Sequence, residues 1–242
     1  MAWTENQLNQ LPEKNGFRLR GLNVTRLETF TDAAFAFATT LLIISFGSIP
    51  QSYQELVTAL KDVPAFAASF ASVTFLWIGH RKWSRRFGLE DMTSILISLS
   101  LIFIMLVYVY PLKIIFSALF SWISGGALPT SFVLKTQDEL PRIFIIYGLG
   151  YAVLMSMFVF LHAHALSKSG ELCLNPVEKM KTKGEISSFM VLAGTGLLSA
   201  LFAWLMPPQV GIFAGFVYML LPVLMPVIGI YYSKKVQALR SE

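Results

Sequence analysis

The chain has 242 residues, 55% of them hydrophobic and 14% charged, with a mean hydropathy of +0.62. Soluble domains carry about a quarter charged residues, so an ordinary water-soluble enzyme is excluded, and the aromatic share of 14% excludes a disordered chain. The net charge of +5 comes from basic residues beside apolar runs, which is the pattern of membrane-protein margins and not of a nucleic-acid surface.

Residues 1–25 are polar, carry Lys14, Arg18 and Arg20, and hold no early apolar stretch. They read as a cytoplasmic segment without a cleavable signal peptide. At about 20 residues per crossing of a ~30 Å hydrocarbon core, the rest predicts an all-α integral membrane protein. Its six transmembrane helices fall near 28–48, 64–80, 92–112, 141–166, 186–206 and 210–232. Pro64 and Pro141 suit first-turn positions, Pro207 and Pro208 break the chain between the last two spans, and Pro222 and Pro226 predict a kink in the sixth.

The segments predicted to be cytoplasmic hold fifteen of the 19 Lys and Arg, leaving Lys61, Lys113, Lys135 and Arg142 outside. That asymmetry places both termini in the cytoplasm, with 233–242 as a short tail. Segment 114–134 is apolar but contains Gly125, Gly126 and Pro129. A seventh crossing there would put the Lys179–Lys183 cluster outside, so it reads as an extension of the third helix or as an interfacial segment. The outer connection 48–63 is short, and Lys113 is expected to reach the headgroups by snorkelling.

The informative polar residue is Asp32, about six positions into the first span. An aspartate at a span centre costs about 2.5–3.5 kcal/mol and requires a partner or water. Arg26 is six residues away, about 240° around the helix, so each must look elsewhere. Trp77 and His80 share a face of the second span and lie at similar depth to Asp32. Both ring N–H groups are candidate donors to the carboxylate, either as a staple between two helices or as part of a functional site.

These residues carry a resemblance. Arg26, Phe30, Thr31 and Asp32 match the Arg-x-x-x-Phe-Ser-Asp signature of the transmembrane protein 175 potassium channels of lysosomes and bacteria. Ser69 and Phe70 followed by Trp77 and His80, and the run Tyr108-Val109-Tyr110-Pro111, are similar to that family as well. The likeness covers roughly 26–111, and Thr31 replaces the usual serine while keeping the hydroxyl.

The resemblance implies a potassium-permeable channel, open also to other monovalent cations, whose first helix lines the pore. The family motif would hold that helix against its neighbours through Arg26, Phe30, Thr31, Asp32, Trp77 and His80. Animal members carry two six-span units; this chain shows one, which implies a bacterial-type homotetramer in the cell membrane, with residues 26–232 as the channel domain. Carried over from the family, the residues facing the axis are Phe37, Thr40 and Ile44. They fall on one helical stripe with Leu41 and Ser48.

No Thr-Val-Gly-Tyr-Gly loop occurs, so a carbonyl filter is absent. A ring of Thr40 hydroxyls would replace part of an ion's hydration, and apolar rings would gate by dewetting. Phe37 departs from the branched aliphatic residue usual at the narrow point.

The bilayer and K+ are the expected partners, with no cofactor, no nucleic acid and no enzymatic activity. His162 and His164 point about 200° apart, so with the lone Cys173 they read as helix-end residues and not as a metal site. Gly211 and Gly215 form a common close-packing motif. The alternative function is a proton-coupled six-span transporter or accessory subunit, in which an Asp32–His80 pair takes up protons.

Overall fold

Apolar runs of this length fold as helices in a bilayer because a helix satisfies its backbone donors and acceptors locally. The computed structural model describes residues 5–44, 49–130, 136 and 138–241. Ser48, Lys135 and the end of the predicted first span lie outside the described residues. After a short α1 (Glu5–Gln10) come α2 (Arg26–Ile44), α3 (Tyr53–Lys61), α4 (Val63–Phe87), α5 (Met92–Ile123), α6 (Glu139–Ser167) and α7 (Pro176–Leu205). The chain ends in α8 (Pro208–Gly211), a 3-10 stretch (Ile212–Leu220) and α9 (Leu221–Ser241). Six helical stretches are long and apolar enough to cross a membrane, the last being the continuous run over 208–241. The molecule is a multi-pass, all-helical membrane protein.

Several helices outrun their apolar parts, because capping residues and not hydropathy set the ends. α4 continues past His80 to Phe87 and stops at Gly88, whose φ of 58° only glycine adopts readily and whose N–H donates to Ser84 O at 2.8 Å. α7 starts ten residues before the predicted span. Asn175 and Glu178 form a reciprocal capping box there, with Pro176 in the first turn. α5 runs through Pro111 to Ile123, so the helical-extension reading describes residues 114–123. The connection between the first two spans is not a plain loop among its described residues: Ser52 caps α3, accepting from Glu55 N at 3.2 Å.

The expected kink in the last span takes a specific form. Pro222 has no N–H to offer the Tyr218 carbonyl, and the Leu221 N–H takes that carbonyl instead. The bond is of the tighter 3-10 type, and it closes the stretch that precedes α9. The predicted tail is helical as well, since α9 continues to Ser241.

One core joins α2, α4, α5, α6 and α7. Phe35, Ala38 and Leu42 meet Val73 and Leu76, Leu101 and Met105, Leu154 and Phe158, and Phe189. α6 and α7 pack backbone against backbone at Gly148 and Gly196. A Cβ on Gly148 would lie 2.5 Å from Gly196 O, so neither position admits a side chain. Gly211 and Gly215 instead seat against Pro141 and Phe144 of α6. Lys113 does not snorkel: it is 5% exposed and pairs with Asp62 at 3.2 Å, because α5 carries it inward beside the start of α4.

The N-terminal segment is docked, not free. Asn15 and Gly16, with φ of 56° and 69°, form a two-residue turn closed by Lys14 N–Phe17 O and Phe17 N–Lys14 O bonds of 3.0 and 3.1 Å. The turn inserts Phe17, 1% exposed, edge-on against Phe87 at the end of α4.

Candidate functional site: the exposed face of the first membrane helix

α2 begins with a capping box. Thr25 Oγ1 accepts from Glu28 N at 3.1 Å, and Glu28 Oε2 accepts from Thr25 N at 3.3 Å. Thr31, Phe35, Ala38 and Leu42 are buried, and at 100° per residue they cluster within about 60° on one side of the helix. That side packs on α4 and α5. Phe37, Thr40 and Ile44 lie on the opposite side, and all three are exposed, Phe37 at 55% and Ile44 at 63%. A face this apolar, turned away from its own subunit's core, needs lipid, another subunit or a narrow passage against it.

Thr40 has a defined polarity. Its hydroxyl donates to Ala36 O at 3.2 Å, and Thr39 donates to the same carbonyl at 2.7 Å. The Thr40 proton is therefore committed to the helix, and the oxygen lone pairs are left facing outward. An oxygen so arranged offers acceptor character only, which is what a cation requires.

The motif residues divide among different tasks. Trp77 Nε1 donates to Asp32 Oδ1 at 2.7 Å, linking α4 to α2. The Arg81 guanidinium stacks 5.3 Å from the Trp77 ring centroid, adding a cation–π contact on that indole. Thr31 is buried and donates back to Leu27 O at 2.7 Å, so its hydroxyl is spent within α2. Phe30 is exposed, and Arg26, also exposed, makes no ion pair with Asp32.

His80 does not join Asp32. Its Nε2 lies 3.0 Å from Ser98 Oγ of α5, and the ring is 2% exposed. Three residues along α4 turn the side chain by about 60° from Trp77, enough to bring it onto α5 instead of α2. No Asp32–His80 hydrogen bond is made, although the Asp32 charge still acts on the imidazole. Ser98 and Arg81 were not recognised in the sequence, since neither belongs to the motif. The Thr-x-x-Glu spacing of Thr25 and Glu28 is a signal in the sequence that could have marked the start of α2.

The two histidines of α6 serve separate contacts. His162 Nδ1 donates to Phe158 O at 2.8 Å, while His164 Nε2 sits 2.7 Å from Asp91 Oδ2. No group of three His, Cys, Asp or Glu side chains suited to a metal occurs among the described residues.

Comparison with known proteins converges on one family. The family model described as endosomal/lysosomal potassium channel TMEM175 matches residues 26–111. A protein of Marivirga tractuosa named potassium channel is 33% identical over 228 residues, covering 90% of this chain and 92% of its own length. The crystal structure of a variant of the potassium channel MtTMEM175, in complex with a Nanobody-MBP fusion protein, superposes with a TM-score of 0.80 at 31% identity. It spans 93% of this chain and all of that one. A lysosomal potassium-selective channel TMEM175 homolog from Chamaesiphon minutus shares the fold, with a TM-score of 0.54, 18% identity and coverage of 86% and 96%.

Proposed function

This chain belongs to the TMEM175 family of potassium channels, and from that membership we propose that four copies place their α2 helices around a central axis and conduct potassium across the cell membrane. The observation that carries the reading is the placement of Phe37, Thr40 and Ile44 on the exposed side of α2, opposite the face bound to α4 and α5. Closed rotational symmetry would bring four such faces together.

In this arrangement Thr40 contributes a ring of hydroxyl oxygens whose protons are held by Ala36 O. Their lone pairs replace part of the hydration of a monovalent cation without a backbone-carbonyl filter. Phe37 and Ile44 form apolar rings on either side, and water leaves such rings readily, which closes the path to ions. The Trp77–Asp32 bond fixes α2 against α4, so that the helix presents one face to the axis. The basic face, with both termini, is cytoplasmic.

The test is flux of potassium, sodium and protons through purified protein in liposomes, with subunit mass measured in parallel. Potassium entry through a particle of four subunits is the expected result. Vesicles no more permeable to potassium than protein-free ones, or a monomeric particle, would overturn the reading.

A further inference from the structure

The N-terminal turn, the end of α4, and helices α7 and α9 surround a cleft of about 730 Å³. Its polar end is strongly cationic. Arg86 and Lys82 share one carboxylate, that of Glu185, with Arg86 at 3.0 Å. Lys181 donates to the Asn15 carbonyl, and Arg240 has no acidic partner among the described residues.

The Arg240 and Lys181 head groups converge over Gly16: a Cβ there would meet Arg240 Nη2 at 2.1 Å and Lys181 Nζ at 3.1 Å. Two cations thus hold Glu185 between them, and two more, Lys181 and Arg240, crowd the neighbouring turn, where Glu13 is the carboxylate that acts on Lys181. Like charges held this close repel unless an anion sits among them. Phosphate oxygens suit the set, since arginine offers a planar fork of donors and lysine a compact charge.

The other end of the cleft is apolar. Ile228, Gly229 and Val236 of α9 line it, and Val227 and Ile230 continue the exposed apolar surface beside them. From Ile228 to Arg240 the helix rises about 18 Å, which spans the distance from acyl chains to headgroups. A free phosphate has no use for such a wall. We propose that this cleft binds the phosphate headgroup of an anionic phospholipid, with an acyl chain laid along α9. The proposal stands on the cleft alone and does not depend on the pore reading.

The test uses the full chain, purified in neutral detergent and titrated with phosphatidylglycerol or phosphatidylcholine while bound lipid is counted by native mass spectrometry. Preferential retention of phosphatidylglycerol is expected, weakened about fivefold by each of Lys181→Gln and Arg240→Gln. Arg240→Lys should preserve it, as should Lys14→Gln outside the cleft. Thermal melting of each variant, done alongside, separates lost binding from lost folding. Equal retention of the two lipids, or unchanged retention in the folded double variant, would overturn the proposal. In a parallel arm, inorganic phosphate or glycerol phosphate that displaces the lipid completely at equal concentration would show that the apolar wall contributes nothing, and would overturn the lipid assignment.

Discussion

The Arg20 guanidinium faces the Glu178 carboxylate in two parallel bonds of 3.0 and 2.9 Å, with both side chains fully shielded from solvent. The remaining valences are filled too: Arg20 Nε donates to Leu172 O at 2.9 Å, and Glu178 Oε1 accepts from Arg18 N at 2.8 Å. The pair ties the segment leading into α2 to the start of α7. Removing one partner strands a buried charge, which costs about 3–5 kcal/mol. Arg20→Met or Glu178→Gln is therefore expected to lower the melting temperature sharply in detergent, and the double replacement Arg20→Met with Glu178→Gln to recover part of the loss, since the amide oxygen still accepts one of the backbone N–H groups of Arg18 and Asn175. A single variant as stable as the parent would contradict this.

Trp77→Phe keeps most of the ring but deletes the donor to Asp32, and Asp32→Asn deletes the acceptor charge. Each is expected to cost about 1 kcal/mol, at the low end for a charged bond because Asp32 is exposed. The two losses should add to less than their sum, since both weaken the one contact between indole and residue 32, which asparagine still accepts through its amide oxygen. The folded, assembled fraction on size-exclusion chromatography checks this, and strict additivity would argue against a shared contact.

Thr40→Ala removes the outward oxygen and should change the potassium-to-sodium permeability ratio while leaving assembly intact. Thr40→Ser retains the hydroxyl and should stay near the parent value. Reversal potentials in planar bilayers decide it, and an unchanged ratio in Thr40→Ala rules out a selectivity role for that hydroxyl.

Phe37→Val narrows the side chain at the apolar ring proposed to expel water. Single-channel conductance or open probability is expected to rise, because a wider ring stays hydrated more of the time. A conductance equal to that of the parent would place the constriction elsewhere.

Asp91 stands between α4 and α5. Burial alone pushes its carboxyl up, but bonds from Ser94 and from His164 outweigh that and hold it below its ordinary 3.8. A depressed folded pKa stabilises the protein above the unfolded value, and that contribution fades as pH falls through the folded one. Asp91→Asn should accordingly be less stable than the parent at neutral pH, with the gap closing in melts below about pH 3.8. A gap that persists in acid would assign the loss to something other than ionisation.

Six spans were legible because each crossing must be a long apolar helix, whatever its neighbours do. The ends were less so: α7 begins at Asn175 and α4 closes at Gly88 through capping geometry, to which an apolar run is blind. Asp32 stood out since a lone carboxylate in an apolar helix demands a partner. Which donor answered it was not readable. Trp77 and His80 are equally near in sequence, and only the rotation of α4 against α5 sends one to Asp32 and the other to Ser98.

Chain order alone thus determined that this is a six-span membrane protein with a motif-bearing first helix, because hydropathy and local spacing act within one segment at a time. Tertiary structure decided which side of α2 is left open at Phe37, Thr40 and Ile44, and how the polar leader docks through Phe17 and Arg20. Those outcomes join residues as far apart as Arg20 and Glu178, and such pairings depend on how helices pack, which no single segment encodes.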